Sequence, residues 1–334
     1  MSSKHIIFLQ SAHYSTDERV LYHQAVTLRR AGHTVAIYGM ETFAHFTTLP
    51  ADIYIVDTPR AMWKIKHTSA QIIYDITEWY PSKKNLRNIR LGKVSKALLM
   101  FIANLWAGHR ANAFIFGEED KAKPFQRLFP KKPALALSYY PDLKYIKSRP
   151  HVKSISQECR MLYAGALTKE KGWLRVQEVV QTIAEKYPHT TFHLDVITRD
   201  EWSDNLSQVN LTINILPFMS FEEFCEQITQ YDLFLDLRDI DMENTRCLPI
   251  KLFYYIACGR PAIYSNLNAI KKGFPEVEQC TQLVANSAEA VEAIEMYMDD
   301  NRYHEHCTNA RRLAIEKYNW NKLTSHFTQF IDDL

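Results

Sequence analysis

The sequence predicts two doubly wound α/β domains, each a parallel sheet with crossover helices. Three observations carry this. Short apolar runs alternate with helical periodicity almost from end to end, as in strands joined through helices. The alternation lapses across Ser138–Arg160, where Pro141 and Pro150 interrupt a segment of little apolar periodicity. The length, 334 residues, exceeds one ordinary core and suits two domains.

In the first half, His5–Leu9, Thr34–Tyr38, Ile53–Val56, Gln71–Tyr74 and Ala113–Phe116 read as strands. Between the first two, Arg19–Ala31 places Leu21, Ala25 and Leu28 at helical spacing and stops at Gly32. Strand, helix, Gly-His and strand make one βαβ unit, the start of a Rossmann-like domain. In the second half, Met161–Ala164, Thr191–Ile197, Thr212–Leu216, Leu233–Leu237 and Pro261–Ser265 read as strands. Leu174–Lys186, Phe221–Tyr231 and Lys251–Cys258 read as helices, followed by Ala288–Asp299, Tyr303–Lys317 and Asn321–Leu334. The expected domains are therefore 1–150 and 151–317, with 318–334 as a helix packing back towards the first. Two such sheets are expected to bind a ligand in a cleft between their strand ends.

The composition, 46% hydrophobic and 23% charged with a net charge of +2, is that of a soluble globular protein and gives no global signal for nucleic acid. The apolar run near the N-terminus is too short for a signal-peptide core. No stretch approaches the roughly 20 apolar residues of a spanning helix. The six cysteines lie between Cys159 and Cys307 without a C-x-x-C pair, which fits reduced core thiols in a cytoplasmic protein.

Local strings narrow the function. Asp17-Glu-Arg-Val, Leu28-Arg-Arg-Ala-Gly-His-Thr-Val, Ile73-Tyr-Asp-Ile-Thr-Glu-Trp-Tyr-Pro and Ser138-Tyr-Tyr-Pro-Asp-Leu resemble the first domain of bacterial glycosyltransferase family 4, the group 1 transferases. In the second half, Leu162-Tyr-Ala-Gly-Ala-Leu-Thr-Lys-Glu-Lys-Gly is similar to that family's strand, turn and helix. Leu248-Pro-Ile-Lys-Leu-Phe-Tyr-Tyr-Ile-Ala-Cys-Gly-Arg-Pro is similar to its donor-site helix, and Asn309-Ala-Arg with Tyr318-Asn-Trp to its closing helices. The resemblance runs in order over nearly the whole chain. It implies the GT-B architecture and a retaining transfer of sugar from a nucleotide-diphosphate-sugar donor to a saccharide or lipid-linked glycan acceptor, in cell-surface polysaccharide synthesis. It implies neither a metal nor a resident cofactor.

A diphosphate leaving group gains charge as the glycosidic bond breaks, so the site must hold that charge. Gly165 lets backbone approach after its strand, and Lys171-Gly172 stands where a helix starts. The resemblance makes Lys171 the diphosphate lysine; the plainer reading is a solvated turn residue. The family's arginine after the glycine is Ala166 here, leaving Lys169 or Arg246 as substitutes by charge. Lys251 opens a helix whose N-terminus suits phosphate, while Leu252, Phe253, Ile256 and Ala257 form a core stripe. The family's two glutamates fall on Arg246 and Tyr254; Glu243 is a displaced carboxylate candidate, and Tyr254 a ribose or base contact.

On the acceptor side, Thr77 replaces the family's histidine and cannot act as a base near neutral pH, and Glu78 follows it. His13 and Asp17 lie in the loop after the first strand. Arg19 either opens the following helix or pairs with Asp17. The four replacements, Ala166, Arg246, Tyr254 and Thr77, support an alternative: a catalytically silent GT-B protein that binds partners or glycans. A sugar epimerase or phosphorylase is a third.

No acidic residue lies between Glu78 and Glu118, while Lys83, Lys84, Arg87, Arg90, Lys93, Lys96 and Arg110 are basic. Ala97–Ala107 is apolar on nearly every helical face and suits either an interfacial or a buried helix. Lys83–Arg110 is thus a candidate contact with an anionic membrane surface, which places the chain at the inner face of the membrane. Asp239-Ile-Asp241 reads as a loop rather than a metal site. His304-Glu-His-Cys307 reads as a surface helix, because residues two apart on a helix diverge.

Overall fold

The computed structural model describes residues 3–66, 68–77, 86, 92–149, 153–202, 208–241, 244–246 and 248–334. The chain divides into two compact units, Met1–Tyr139 with Trp320–Leu334, and Tyr140–Asn319. The first division falls at Tyr139, ahead of the expected 150.

The first unit's strands are β1 (His5–Leu9), β2 (Thr34–Tyr38), β3 (Ile53–Val56), β4 (Gln71–Ile76), β5 (Ala113–Phe116) and β6 (Ala134–Ala136). They form one sheet in the order β2-β1-β3-β4-β5-β6, with all pairings parallel. Strand alternation divides their side chains between two cores. Ile7, Leu9, Tyr54, Val56, Tyr74 and Phe114 face one, and Ile6, Phe8, Ile53, Ile55, Ile73 and Ile115 the other. Both faces are covered, which is why these strands read as near-continuous apolar runs. The predicted helix after β1 is a π-helical segment, Arg19–Ala25, continuing as the α-helix Val26–Arg30.

The C-terminal helix Thr324–Asp332 belongs to this unit. Trp320, Phe327 and Ile331 complete the second core. The Trp320 indole N–H donates to Thr27 Oγ1 at 2.8 Å. Lys4 donates to the carbonyls of Ile331 and Asp332 at 2.8 and 3.0 Å, where a cation satisfies the helix's last acceptors.

The second unit's strands are β7 (Glu158–Ala164), β8 (Thr191–Thr198), β9 (Leu211–Pro217), β10 (Leu233–Asp236), β11 (Ala262–Ser265) and β12 (Thr281–Val284). Their order is β12-β11-β10-β7-β8-β9, again all parallel. Helix Trp173–Lys186 buries Val176, Val180 and Ile183 on one stripe, as the period of 3.6 requires. Helix Ile250–Ala257 is buried at every residue from Leu252 to Ala257, so its burial is wider than the expected stripe of Leu252, Phe253, Ile256 and Ala257 and takes in Tyr254 and Tyr255. The short strands β6 and β12 had no counterpart among the expected elements: β6 is only three residues, Ala134–Ala136, and β12 is half polar.

Each sheet reverses its direction of growth once. In the first unit the reversal lies between β1 and β3, in the second between β7 and β10. Ligands of doubly wound sheets bind beyond the strand C-termini at such points.

Candidate functional site

In the second unit, the segments leaving β7 and β10 are pressed together. Gly172 stands at the N-terminus of helix Trp173–Lys186 with φ +81°. A Cβ there would lie 2.0 Å from the Leu237 carbonyl oxygen and 2.7 Å from the Arg238 nitrogen, so no other L-residue fits without moving backbone. The turn before it is hydrogen-bonded within itself: Lys171 N–H donates to Thr168 O at 3.1 Å and Gly172 N–H to Lys169 O at 2.9 Å. Asp239 N–H donates to Glu170 O at 3.0 Å, and the Tyr163 hydroxyl to Ala166 O at 2.6 Å. The Lys171 side chain is 38% exposed, with its ammonium 3.9 Å from the Glu170 carboxylate, a distance at which a surface pair contributes little.

Below this turn lies a buried carboxylate. Asp236 ends β10 and accepts from Arg238 Nε at 2.7 Å and from the Tyr264 hydroxyl at 2.6 Å. Burial disfavours its charge, but Arg238, Lys251 and Tyr264 together outweigh burial and hold its pKa below the ordinary value. Lys251 donates to the Ala164 carbonyl, and a Cβ on Gly165 would stand 3.7 Å from its ammonium. Arg175 donates to the carbonyls of Leu237 and Arg238 at 3.3 and 3.1 Å and pairs with Asp239. Gly165, Gly172 and Lys251 are therefore brought to one sheet edge, beside Asp236 and Arg238.

Other predicted donor residues lie elsewhere. Tyr254 is 2% exposed, its ring 6.1 Å from Phe221 and 6.3 Å from Phe224, so it sits in the core. The side chain of Arg246, and Glu243 entirely, lie outside the described residues.

The first unit gathers a second set. Asp57 directly follows β3 and is buried. Its carboxylate accepts from Ser11 and Ala12 N–H, each at 2.9 Å, and lies 3.0 Å from His13 Nδ1. Ser11 and Thr58 hydroxyls are hydrogen-bonded beside it. The bond to Asp57 raises the His13 pKa above 6.5, against the effect of burial.

Asp17 accepts from the backbone N–H of Arg19 and Val20 at 3.2 and 3.3 Å. The Arg19 guanidinium does not pair with Asp17: it is buried against Asp75 at the end of β4 and lies 4.6 Å from the Tyr139 ring centre. Gln24 donates to the same Asp75 at 3.3 Å. Arg19 therefore ties helix to sheet, because a buried cation needs a buried anion. Thr77 follows β4; Glu78 lies outside the described residues, as do Lys83, Lys84, Arg87 and Arg90.

Asp57, Asp75 and Asp236 were not among the expected site residues. Each follows or ends an apolar run at the C-terminal edge of a strand, where ligands of such sheets bind, and that position was the available signal.

Among the described residues no group of three or more His, Cys, Asp or Glu is arranged to hold a metal. Asp239 pairs with Arg175, and Asp241 accepts from Asn244 N–H at 2.7 Å. His304 is exposed on helix Asp300–Glu316, whereas His306 and Cys307 are buried. Burial pushes the His306 pKa down to about 4. Among the described residues no helix is long and apolar enough to cross a membrane.

Residues 175–328 match the family described as glycosyl transferase-like. No curated protein matches the sequence. The fold is similar to that of sucrose-phosphate synthase from Thermosynechococcus elongatus, with TM-score 0.68 at 12% identity over 98% of each chain. It is also similar to Anabaena HepE, solved with UDP-glucose, with TM-score 0.66 at 13% identity over 99% of this chain and 100% of that one. TarM of S. aureus, solved with UDP and an α-GlcNAc-glycerol, gives TM-score 0.58 at 15% identity over 83% of this chain and 55% of its own. Residues 175–328 are thus similar to the glycosyl transferase-like family, and the two-sheet fold of the whole chain is similar to that of these transferases.

Proposed function

We propose that the chain is a retaining transferase, moving a sugar from a nucleotide-diphosphate-sugar donor to a saccharide or lipid-linked glycan acceptor. The role fitting this chemistry is cell-surface polysaccharide synthesis at the cytoplasmic face of the membrane. One observation carries the reading: Gly172 is seated against Leu237, which fixes the Lys171 turn and the start of helix Trp173–Lys186 beyond the reversal of the second sheet. A helix N-terminus and a partly exposed lysine at that place suit a pyrophosphoryl group. The relatives solved with UDP or UDP-glucose support the same ligand class.

In this mechanism the bond from the sugar's anomeric carbon to the diphosphate oxygen breaks, and its electron pair stays on the diphosphate. The acceptor oxygen attacks from the same face, and its proton passes to the departing diphosphate. No protein nucleophile and no metal are required. Lys171 stabilises the growing charge, with Lys169 or Arg246 as the second cation. Lys251, bonded to the Ala164 carbonyl, holds the Gly165 segment and adds positive charge there. His13, oriented by Asp57, together with Asp17, Thr77 and Glu78, serves the sugar and acceptor side, with Glu243 as the carboxylate near the transferred sugar.

The silent reading has its own observation: Tyr254, which stands where the family has its ribose carboxylate, is buried in the core. Incubation with a panel of nucleotide sugars and saccharide acceptors, followed by proton NMR of the product, separates the two. A product with the donor's anomeric configuration is expected. Inversion would discard the mechanism, and absence of transfer or donor hydrolysis across the panel would favour the silent reading.

A further inference from the structure

We infer that the first unit carries an apolar groove that inserts into the surface of an anionic lipid bilayer. The groove, of about 840 Å³, is lined by Phe43, Pro59, Trp63, Leu99, Ile102 and Trp106 among others. It lies between helix Pro59–Lys64 and helix Lys93–Arg110. The longer helix has 18 residues, of which only Asn104, Ala107 and Gly108 are buried. Its apolar side chains stand in solvent instead: Val94, Leu98, Ile102 and Trp106 recur every four residues as one exposed row, with Leu99 and Phe101 beside it. Trp63 is 71% exposed, and its ring lies 5.8 Å from that of Trp106. Paired indoles at the edge of an apolar face suit a headgroup boundary, where one end is apolar and the other wet.

Charge selects the occupant. Arg60 and Lys64 are the charged residues of the groove lining, which holds no carboxylate. Lys93 and Lys96 are exposed at the start of the long helix, and Arg110 lies 5.7 Å from the Trp106 ring centre. An apolar face rimmed by cations matches anionic headgroups over acyl chains. A second copy of the chain is a poorer match, since a two-fold contact would set this cationic rim against itself. The inference deepens the proposed function by giving a lipid-linked acceptor a surface on which to be met, and rests on that reading for this link alone.

The test is co-sedimentation of the full chain with vesicles of phosphatidylcholine, alone or mixed with phosphatidylglycerol, with neither donor nor acceptor present. Transfer and membrane binding can therefore fail separately. Anionic vesicles are expected to retain about tenfold more protein than neutral ones, with loss at high salt and a blue shift of tryptophan emission that Trp63→Phe diminishes. Leu98→Gln/Ile102→Gln and Lys93→Gln/Lys96→Gln should each lower binding about fivefold or more with an unchanged circular dichroism spectrum. Equal retention by both vesicles, or full binding by the Leu98→Gln/Ile102→Gln variant, would overturn the inference. So would a dimer in light scattering that this variant disperses.

Discussion

The Cα of Gly172 faces the Leu237 carbonyl so closely that a Cβ would stand 2.0 Å from its oxygen. The helix start after β7 and the segment leaving β10 are thus fixed by one missing methyl group. Gly172→Ala meets two penalties: the left-handed backbone, roughly 1–2 kcal/mol for an L-residue, and displacement of the Leu237 carbonyl. A lower melting temperature and weakened nucleoside-diphosphate binding are expected. Gly273→Ala, where nothing lies within 4 Å of the added Cβ, should leave both nearly unchanged. Equal behaviour of the two variants in thermal melts would refute the close approach.

Asp236 and Arg238 give a pH signature. The Asp236 carboxylate has its pKa lowered in the fold from 3.8, so its contribution to stability is complete above 3.8 and is lost as pH falls through the lower folded value. Asp236→Asn should flatten the acid limb of the stability profile and, by removing one charge of a buried pair, cost about 3–5 kcal/mol near neutrality. Urea titrations across the acid range measure both effects. An unchanged acid limb would exclude this carboxylate as its source.

His13 titrates in the opposite sense. Its pKa is raised above 6.5 by the bond to Asp57, so its stabilising effect is complete below 6.5 and disappears as pH rises through the folded value. Asp57→Asn should return the His13 titration towards 6.5 or below, read from its ring-proton chemical shifts. A His13 curve that ignores Asp57→Asn would separate the two residues.

Arg19 and Asp75 form the buried pair of the first unit. Arg19→Met alone strands the Asp75 charge and should cost about 3–5 kcal/mol. Arg19→Met/Asp75→Leu removes both charges and should recover much of that loss. Chemical denaturation of the two variants decides the matter. A double variant weaker than the single one would show that the cation acts through packing against Tyr139.

Much of this was legible in sequence because it depends on short-range pattern. Strands β1 to β5 of the first unit follow from apolar runs with buried faces, and Gly172 from its place before an amphipathic helix. The partners Asp57 for His13 and Asp75 for Arg19 were not legible, since they lie 44 and 56 residues away and meet only once the parallel sheet sets their strand ends side by side. Tyr254 misled for a related reason. Its position matched a ligand-binding place in a family motif, while its helix is buried from Leu252 to Ala257.

Calorimetric titration of the intact chain and of Lys171→Ala with uridine and guanosine diphosphates tests most directly whether the second sheet's reversal point grips a pyrophosphoryl group. One of the two nucleotides should bind saturably, and the variant should bind it about tenfold more weakly, as expected when a cation is withdrawn from a bound phosphate. Identical affinities in the intact chain and the variant, or no heat with either nucleotide, would contradict that assignment.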